Sequence, residues 1–537
     1  MIIQCRLCLC NNTNHGGNEM DLLFREESDK KAVKLSEETI KDVALCEVID
    51  FMSMDTERRK LLKDLMASVP CDPQDIIFRQ EITKDFLKNE ALCTSMTETL
   101  DGLKTLIYYG GMRKAVSDRD ATLYTLLEQL RELSVYVTVI EDIFGQLKSN
   151  DISSAGLISL RDSLEKIITD EKFSIAKEDI KTMLADLSVA RGAIIGVNLT
   201  PDLSIEDVTA IEFVPNRIRS AYNLVDVALT TKINSPVSKM KYKQNDPLLA
   251  AITPKLEKHL KKQYAEIKRT LAKYTNYDSR FLTEMFGSLT FYLKTAEIGR
   301  KLQNRGYEIT FPEIGDSSEG RLAAKDFYNI RLAIKGEENI VKNDFAFTDD
   351  ERIFILTGPN RGGKTILEQG LGLMSVMMSL GMFVTAGSCA GRPFTNILTH
   401  YPIDENLTIN YGRLGEEAIR IKELVKAADE DTLLLFNETF STTSATDGLY
   451  LSKELIHVLK ERGAFVIFNT HIHDLAKSIS EMDGWAGKSK VISIVMERKN
   501  DENTFILKRA EPDTTSFAKD IAVKYGITYE QMTEGEA

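Results

Sequence analysis

One eleven-residue stretch constrains this chain more than any other: ILTGPNRGGKT, residues 355–365. Gly358 and Gly363 bracket four residues, and Lys364-Thr365 follow directly. An apolar run, 353–356, precedes the stretch and a helical pattern follows it. That is the strand–loop–helix context in which a glycine-rich loop cradles phosphate. Backbone N–H groups of Gly358, Pro359, Asn360, Arg361, Gly362 and Gly363 (less the proline, which has none) would turn toward the anion at the helix start. Lys364 would reach the outer phosphates, and the Thr365 hydroxyl would face magnesium. The loop therefore requires an α/β domain and implies ATP and Mg2+ as ligands.

A second stretch, LLLFNETFSTTSATDG at 433–448, supplies the other half of such a site. An apolar strand ends in Asn437-Glu438. Glu438 is positioned to polarise an attacking water, and the residue before it ordinarily gives a carboxylate to the metal shell. Asn437 offers only a neutral amide oxygen, so magnesium is expected to be held less tightly. The third element is FVIFNTHIHDL, 465–475. Its strand ends at Asn469, and His471 arrives where a γ-phosphate could be sensed. A lone histidine is more often structural, but the carboxyl end of a strand is where α/β sheets bind ligands.

These three stretches, GPNRGGKT, NETFSTTSATDG and NTHIHDL, resemble in order and spacing the ATPase domain of the MutS family of DNA mismatch-repair proteins. The resemblance covers roughly residues 320–530, including PDTTSFAKDIAVKYGI. It implies an ABC-type P-loop ATPase domain. Two chains would pair so that each completes the other's nucleotide site. Gly412 and Arg413 would be the trans-acting contacts, and Asp447 would lie at the dimer seam. The levers of such a homodimer would surround duplex or branched DNA, in repair or recombination. Three departures accompany the resemblance. Asn437 stands for the usual aspartate. Leu414 follows Gly412-Arg413 where a Ser or Thr is usual. Helical sequence from about residue 36 leaves no room for a mismatch-reading domain.

The remainder reads as mostly helical. Asp72-Pro73 looks like an N-cap and first-turn proline. Two β-rich runs flank a Thr-Pro-Asp turn near 190–214, a small β insertion. Thr253-Pro254 opens a long helix whose apolar residues, from Leu256 through Leu260, Tyr264, Ile267 and Leu271 to Tyr274, recur in steps of three and four. The expected division is a tail over 1–19, a helical core and lever over 20–310, and the ATPase domain over 311–537. In the tail, Cys5, Cys8, Cys10 and His15 have poor spacing for a closed zinc site, and disorder is the preferred reading.

Charge narrows the partners. The 537-residue chain carries −13 overall, yet residues 232–305 hold 16 Lys or Arg against 6 Asp or Glu. That segment suits a local anionic partner such as DNA, or equally a solvated helix face. The apolar stretch 369–391 is long enough for a bilayer, but it follows the loop directly and is broken by Gly381 and Gly387. It reads as a buried helix and then a buried strand, 382–386. Seven scattered cysteines and no secretory pattern fit a cytoplasmic protein. Two functions stay open: a DNA-binding ATPase acting as a dimeric clamp, and a nucleotide-gated interaction protein with little hydrolysis. A transporter-type ATPase is weaker, because no LSGGQ-like stretch is present.

Overall fold

The computed structural model describes residues 21–113, 123–187, 192–202, 205–214, 260–274, 280–317, 320–402, 413–487, 489–499 and 502–511, with a few residues near 530. The chain forms two compact units, each woven from separate stretches. The first contains 99–145 and 159–286, the second 23–98, 146–158 and 287–537.

Fourteen strands occur among the described residues: β1 (Ala32–Lys34), β2 (Ser68–Pro70), β3 (Gly192–Leu199), β4 (Ile205–Val214), β5 (Glu313–Ile314), β6 (Leu322–Phe327), β7 (Asn343–Phe347), β8 (Glu351–Thr357), β9 (Ser388–Gly391), β10 (Asn396–His400), β11 (Thr432–Asn437), β12 (Phe465–Asn469), β13 (Lys490–Lys499) and β14 (Glu502–Arg509).

In the first unit, β3 and β4 pair as an antiparallel hairpin, with Thr200 donating to Asp202 at its turn. This is the expected β insertion. The stripe running from Leu256 lies partly outside the described residues; within them the helix Lys261–Leu271 buries Ile267 and Leu271. Its end is fixed to the helix Glu171–Leu187. Asp179 accepts from Tyr274 Oη at 2.6 Å and from Lys273 Nζ at 3.0 Å. Lys261, Lys262, Lys268 and Arg269 are exposed. Of the rest of the basic segment, 232–259 and 275–279 lie outside the described residues, while in the helix Arg280–Asn304 Lys294 and Lys301 pair with Glu297 and Arg300 donates to the Phe86 carbonyl.

The second unit is built on a six-stranded sheet of order β10-β11-β12-β8-β13-β14, parallel except for the β13–β14 pair. Every residue of β11 and β12 is buried, which explains their unbroken apolar runs: a strand covered on both faces has no need to alternate. A smaller sheet of order β5-β9-β6-β7 lies beside it in the chain's fold. Between β8 and β9 runs the helix Lys364–Ser379, buried along nearly its whole length. This disposes of the apolar stretch 369–391: the helix is core. Residues 382–386 are buried as expected but form no strand. Val384 makes only an isolated bridge to Thr310, and Thr385 bonds through its carbonyl to Tyr328 N–H. The strand comes later, at β9. No described helix is long and apolar enough to cross a membrane.

Residues 23–98 pack into this same unit. Asp72 caps the helix Pro73–Lys88, accepting from Gln74 N–H at 2.9 Å, with Pro73 at its first position. That helix buries Ile76, Ile82 and Phe86 completely. Farther along the sheet, Thr39 Oγ1 donates to the Ile397 carbonyl at 3.3 Å, and Thr399 Oγ1 donates to Asp42 at 2.7 Å. The helix Glu37–Asp42 thus lies against the β10 edge.

Candidate functional site

Parallel register brings three strand ends level. Asn437 of β11 pairs with Asn469 of β12, and Asn469 pairs with Leu356 of β8. All three strands run the same way, so their carboxyl ends open onto one crevice, the usual ligand position in such a sheet.

From β8 the chain turns through Gly358 (φ +136°), Arg361 (φ +59°) and Gly363 (φ +89°) before the helix begins at Lys364. A Cβ at Gly358 would come within 3.0 Å of the Met496 backbone nitrogen, and one at Gly363 within 3.1 Å of the Phe505 ring. Both positions thus need glycine for space as well as for dihedral angle. The helix opens with free N–H groups and a partial positive charge toward the crevice. Lys364 is 6% exposed and donates to the carbonyls of Gly358 at 2.9 Å and Pro359 at 3.2 Å. Burial holds its ammonium below the usual pKa, with Glu438 partly offsetting that. An arriving phosphate would compete with those two carbonyls for the ammonium.

At the end of β11 the backbone makes a tight left-handed turn, with Glu438 at φ +53° and Phe440 at φ +61°. Glu438 N–H is held by the Asn469 carbonyl at 2.9 Å, and Phe440 N–H by Glu417 Oε1 at 2.8 Å. The Glu438 carboxylate meets His471 Nε2 at 2.8 Å, both side chains about two-fifths exposed. Behind them Asn437 is buried. Its Oδ1 accepts from Asn469 Nδ2 at 2.7 Å and from Thr365 Oγ1 at 3.2 Å. Asn469 Nδ2 also reaches Glu368 Oε2 at 3.1 Å. Glu368 is fully buried, and burial raises its carboxyl pKa well above the usual range. Next to this turn, His400 is buried with Nδ1 at 2.9 Å from Thr439 Oγ1. Desolvation pushes its pKa down to about 4.

A pocket of about 500 Å3 gathers Asn360, Arg361, Gly362, Gly363, Lys364, Thr365, Glu438 and His471 around one space. Its walls also include the apolar Ile340, Val341 and Phe505, the last beside Gly363. Of the other expected residues, Gly358 and Pro359 carry the loop's entry and Asn437 lies behind Thr365. Asp447 sits away from this lining, exposed in the first turn of the helix Ala445–Arg462, where it bonds with its N-cap Ser444. Arg413 begins the helix Arg413–Ala427, its side chain outside the described residues. Gly412 also lies outside them. Sequence reasoning missed Glu417 and Glu368 and took Asn469 only as a strand end. Nothing in local spacing flags the first, which reaches the turn from 23 positions away.

As a cradle for magnesium the donor set fits poorly. The chain offers the Thr365 hydroxyl, which donates its hydrogen to Asn437 and keeps its oxygen lone pairs for a cation, but carries no charge. The oxygen of Asn437 is occupied by two donors, and hard cations favour charged oxygens. Among the described residues no group of three or more His, Cys, Asp or Glu could hold a metal ion.

Two family models match the chain: MutS domain V over residues 354–531 and the MutS2 N-terminal domain over 71–305. Curated relatives include a DNA mismatch repair protein MutS of Macrococcus caseolyticus, 22% identical over 417 residues, covering 67% of this chain and 49% of the relative. The DNA mismatch repair protein MSH3 of Candida glabrata is 29% identical over 246 residues, 45% of this chain and 22% of that protein. A Bacillus cereus MutS is 31% identical over 144 residues, 27% and 16% of the respective chains. The chain thus spans about half the length of the first relative and less of the others. Both models match in order along one chain, and the Macrococcus caseolyticus MutS aligns over two thirds of it, so the chain is similar to MutS-family proteins in both regions and is consistent with a member of that family.

Proposed function

We propose that this protein is a MutS-family, ATP-binding, DNA-binding ATPase of the ABC type that works as a dimeric clamp on duplex or branched DNA. The observation that carries the reading is the convergence of Lys364, Thr365, Glu438 and His471 on one pocket at level strand ends. Lys364 and the helix N-terminus suit the phosphates, and apolar walls such as Ile340 and Val341 suit a nucleobase. Glu438 would orient the attacking water and accept its proton at Oε1 or Oε2. His471, bonded to that carboxylate, would hold it in place and touch the outer phosphate. Gly412, Arg413 and Asp447 would serve the partner's site across a homodimer. Mismatch-repair relatives and the basic segment 232–305 support DNA as the partner.

A second reading is favoured by Asn437: a nucleotide-gated interaction protein that binds ATP with little turnover. Steady-state hydrolysis beside a Lys364→Ala control separates the two, measured with and without duplex and branched DNA. Turnover that vanishes in the control and rises with DNA supports the clamp. DNA retention should fall steeply with salt if phosphate contacts dominate it. ATP binding with no turnover above the control replaces the clamp by the gated switch.

A further inference from the structure

Asn437 places a neutral amide, not a carboxylate, behind Thr365. Its amide oxygen is turned inward onto Asn469 Nδ2 at 2.7 Å and Thr365 Oγ1 at 3.2 Å. Asn469 Nδ2 is shared with the buried Glu368 at 3.1 Å, so this amide is clamped from behind. The end of Asn437 left over by those two bonds is its NH2 group, a donor. A donor repels a cation but can bond a phosphate oxygen or a water.

The charges around the pocket point the same way. Arg361 at the loop apex and Lys364 both line it. Of the carboxylates at the pocket, Glu337 and Glu338 are exposed in its lining, and Glu438 is engaged by His471 at 2.8 Å. Glu368 is fully buried beneath the loop's helix. An aspartate at 437 would set a negative charge against the triphosphate, and a bound divalent cation would be needed to offset it. With an amide there, that repulsion is missing.

Resting on the ATP-site reading above, we propose that the pocket binds nucleoside triphosphate as the metal-free anion about as well as its magnesium complex. The residue that sets this tolerance is Asn437, a neutral amide whose oxygen is engaged by Asn469 and Thr365.

The test is calorimetric titration of the purified full chain with ATP, once in excess EDTA and once in excess magnesium chloride. Wild-type dissociation constants should agree within about threefold, less than 1 kcal/mol. The Asn437→Asp variant should bind at least about tenfold more weakly in EDTA than in magnesium. Asn437→Ser, which restores no charge, should remain indifferent to the metal, and it stands in should the aspartate variant fail to fold. Wild-type binding that requires magnesium overturns the inference and leaves the ATP site intact. No binding under either condition overturns the ATP-site reading itself, and this inference with it.

Discussion

Replacing Glu417 with alanine should loosen the turn that aims Glu438. Glu417 Oε1 accepts Phe440 N–H at 2.8 Å, and Oε2 lies 3.5 Å from Thr442 Oγ1. The Glu417 side chain is 15% exposed, so solvent does little of this work. The turn needs such help. Glu438 and Phe440 both hold positive φ without being glycine, at a cost of about 1–2 kcal/mol each. A hydrogen bond to a charged acceptor contributes roughly 1.5–3 kcal/mol. Its loss should therefore raise the open population of the turn by about ten- to a hundredfold. Hydrogen–deuterium exchange read by mass spectrometry on peptides spanning 438–442 measures that opening directly, at the Phe440 amide. Glu417→Gln keeps an oxygen acceptor without the charge, so it should accelerate exchange by less than alanine does. Unchanged Phe440 exchange in Glu417→Ala would refute the idea that this carboxylate holds the turn.

Three other perturbations have definite expected outcomes. Gly363→Ala combines a φ of +89° with a Cβ 3.1 Å from the Phe505 ring; ATP affinity should drop about tenfold or more, and adding Phe505→Ala should recover only part of it by calorimetry. Asn469→Ala removes the donor shared by Asn437 and Glu368 and leaves both buried acceptors without it; the melting temperature should fall, with a loss of about 1–3 kcal/mol. His400 is kept neutral by burial, its pKa down at about 4 against an ordinary 6.5, so the unfolded chain binds the extra proton between those values and His400 makes stability fall as pH drops from about 6.5 toward 4. That component should reach about 3 kcal/mol. It should vanish from the pH profile of His400→Gln, while the raised Glu368 carboxyl acts in the opposite sense, favouring the fold at low pH in both proteins.

The parts of this site that were legible in the sequence are those where backbone geometry dictates residue type. Gly358 and Gly363 sit at dihedrals and approaches that exclude a side chain, so their spacing survives as a readable pattern. Asn437 and Asn469 were marked by the apolar runs they end, because β11 and β12 are buried on both faces. The hairpin of β3 and β4 announced itself through β-rich runs around a turn. What escaped was long-range. Glu368 looks like an ordinary polar residue one turn past Thr365, and only its own complete burial makes it unusual. The bond from Thr39 to Ile397 spans 358 positions, so nothing local says that residues 23–98 belong with the nucleotide fold. Residues 382–386 carry strand-like composition, yet their backbone groups find partners singly, at Thr310 and Tyr328, rather than in a ladder.

The central claim is that the loop from Gly358 to Thr365 binds a nucleoside triphosphate. Equilibrium titration of the wild-type chain and of Lys364→Ala with ATP tests it most directly. The account predicts saturable one-site binding in the wild type and a loss of about a hundredfold or more in the variant, whose phosphate-facing charge is gone. Equal binding by both proteins, or none by either, would contradict it.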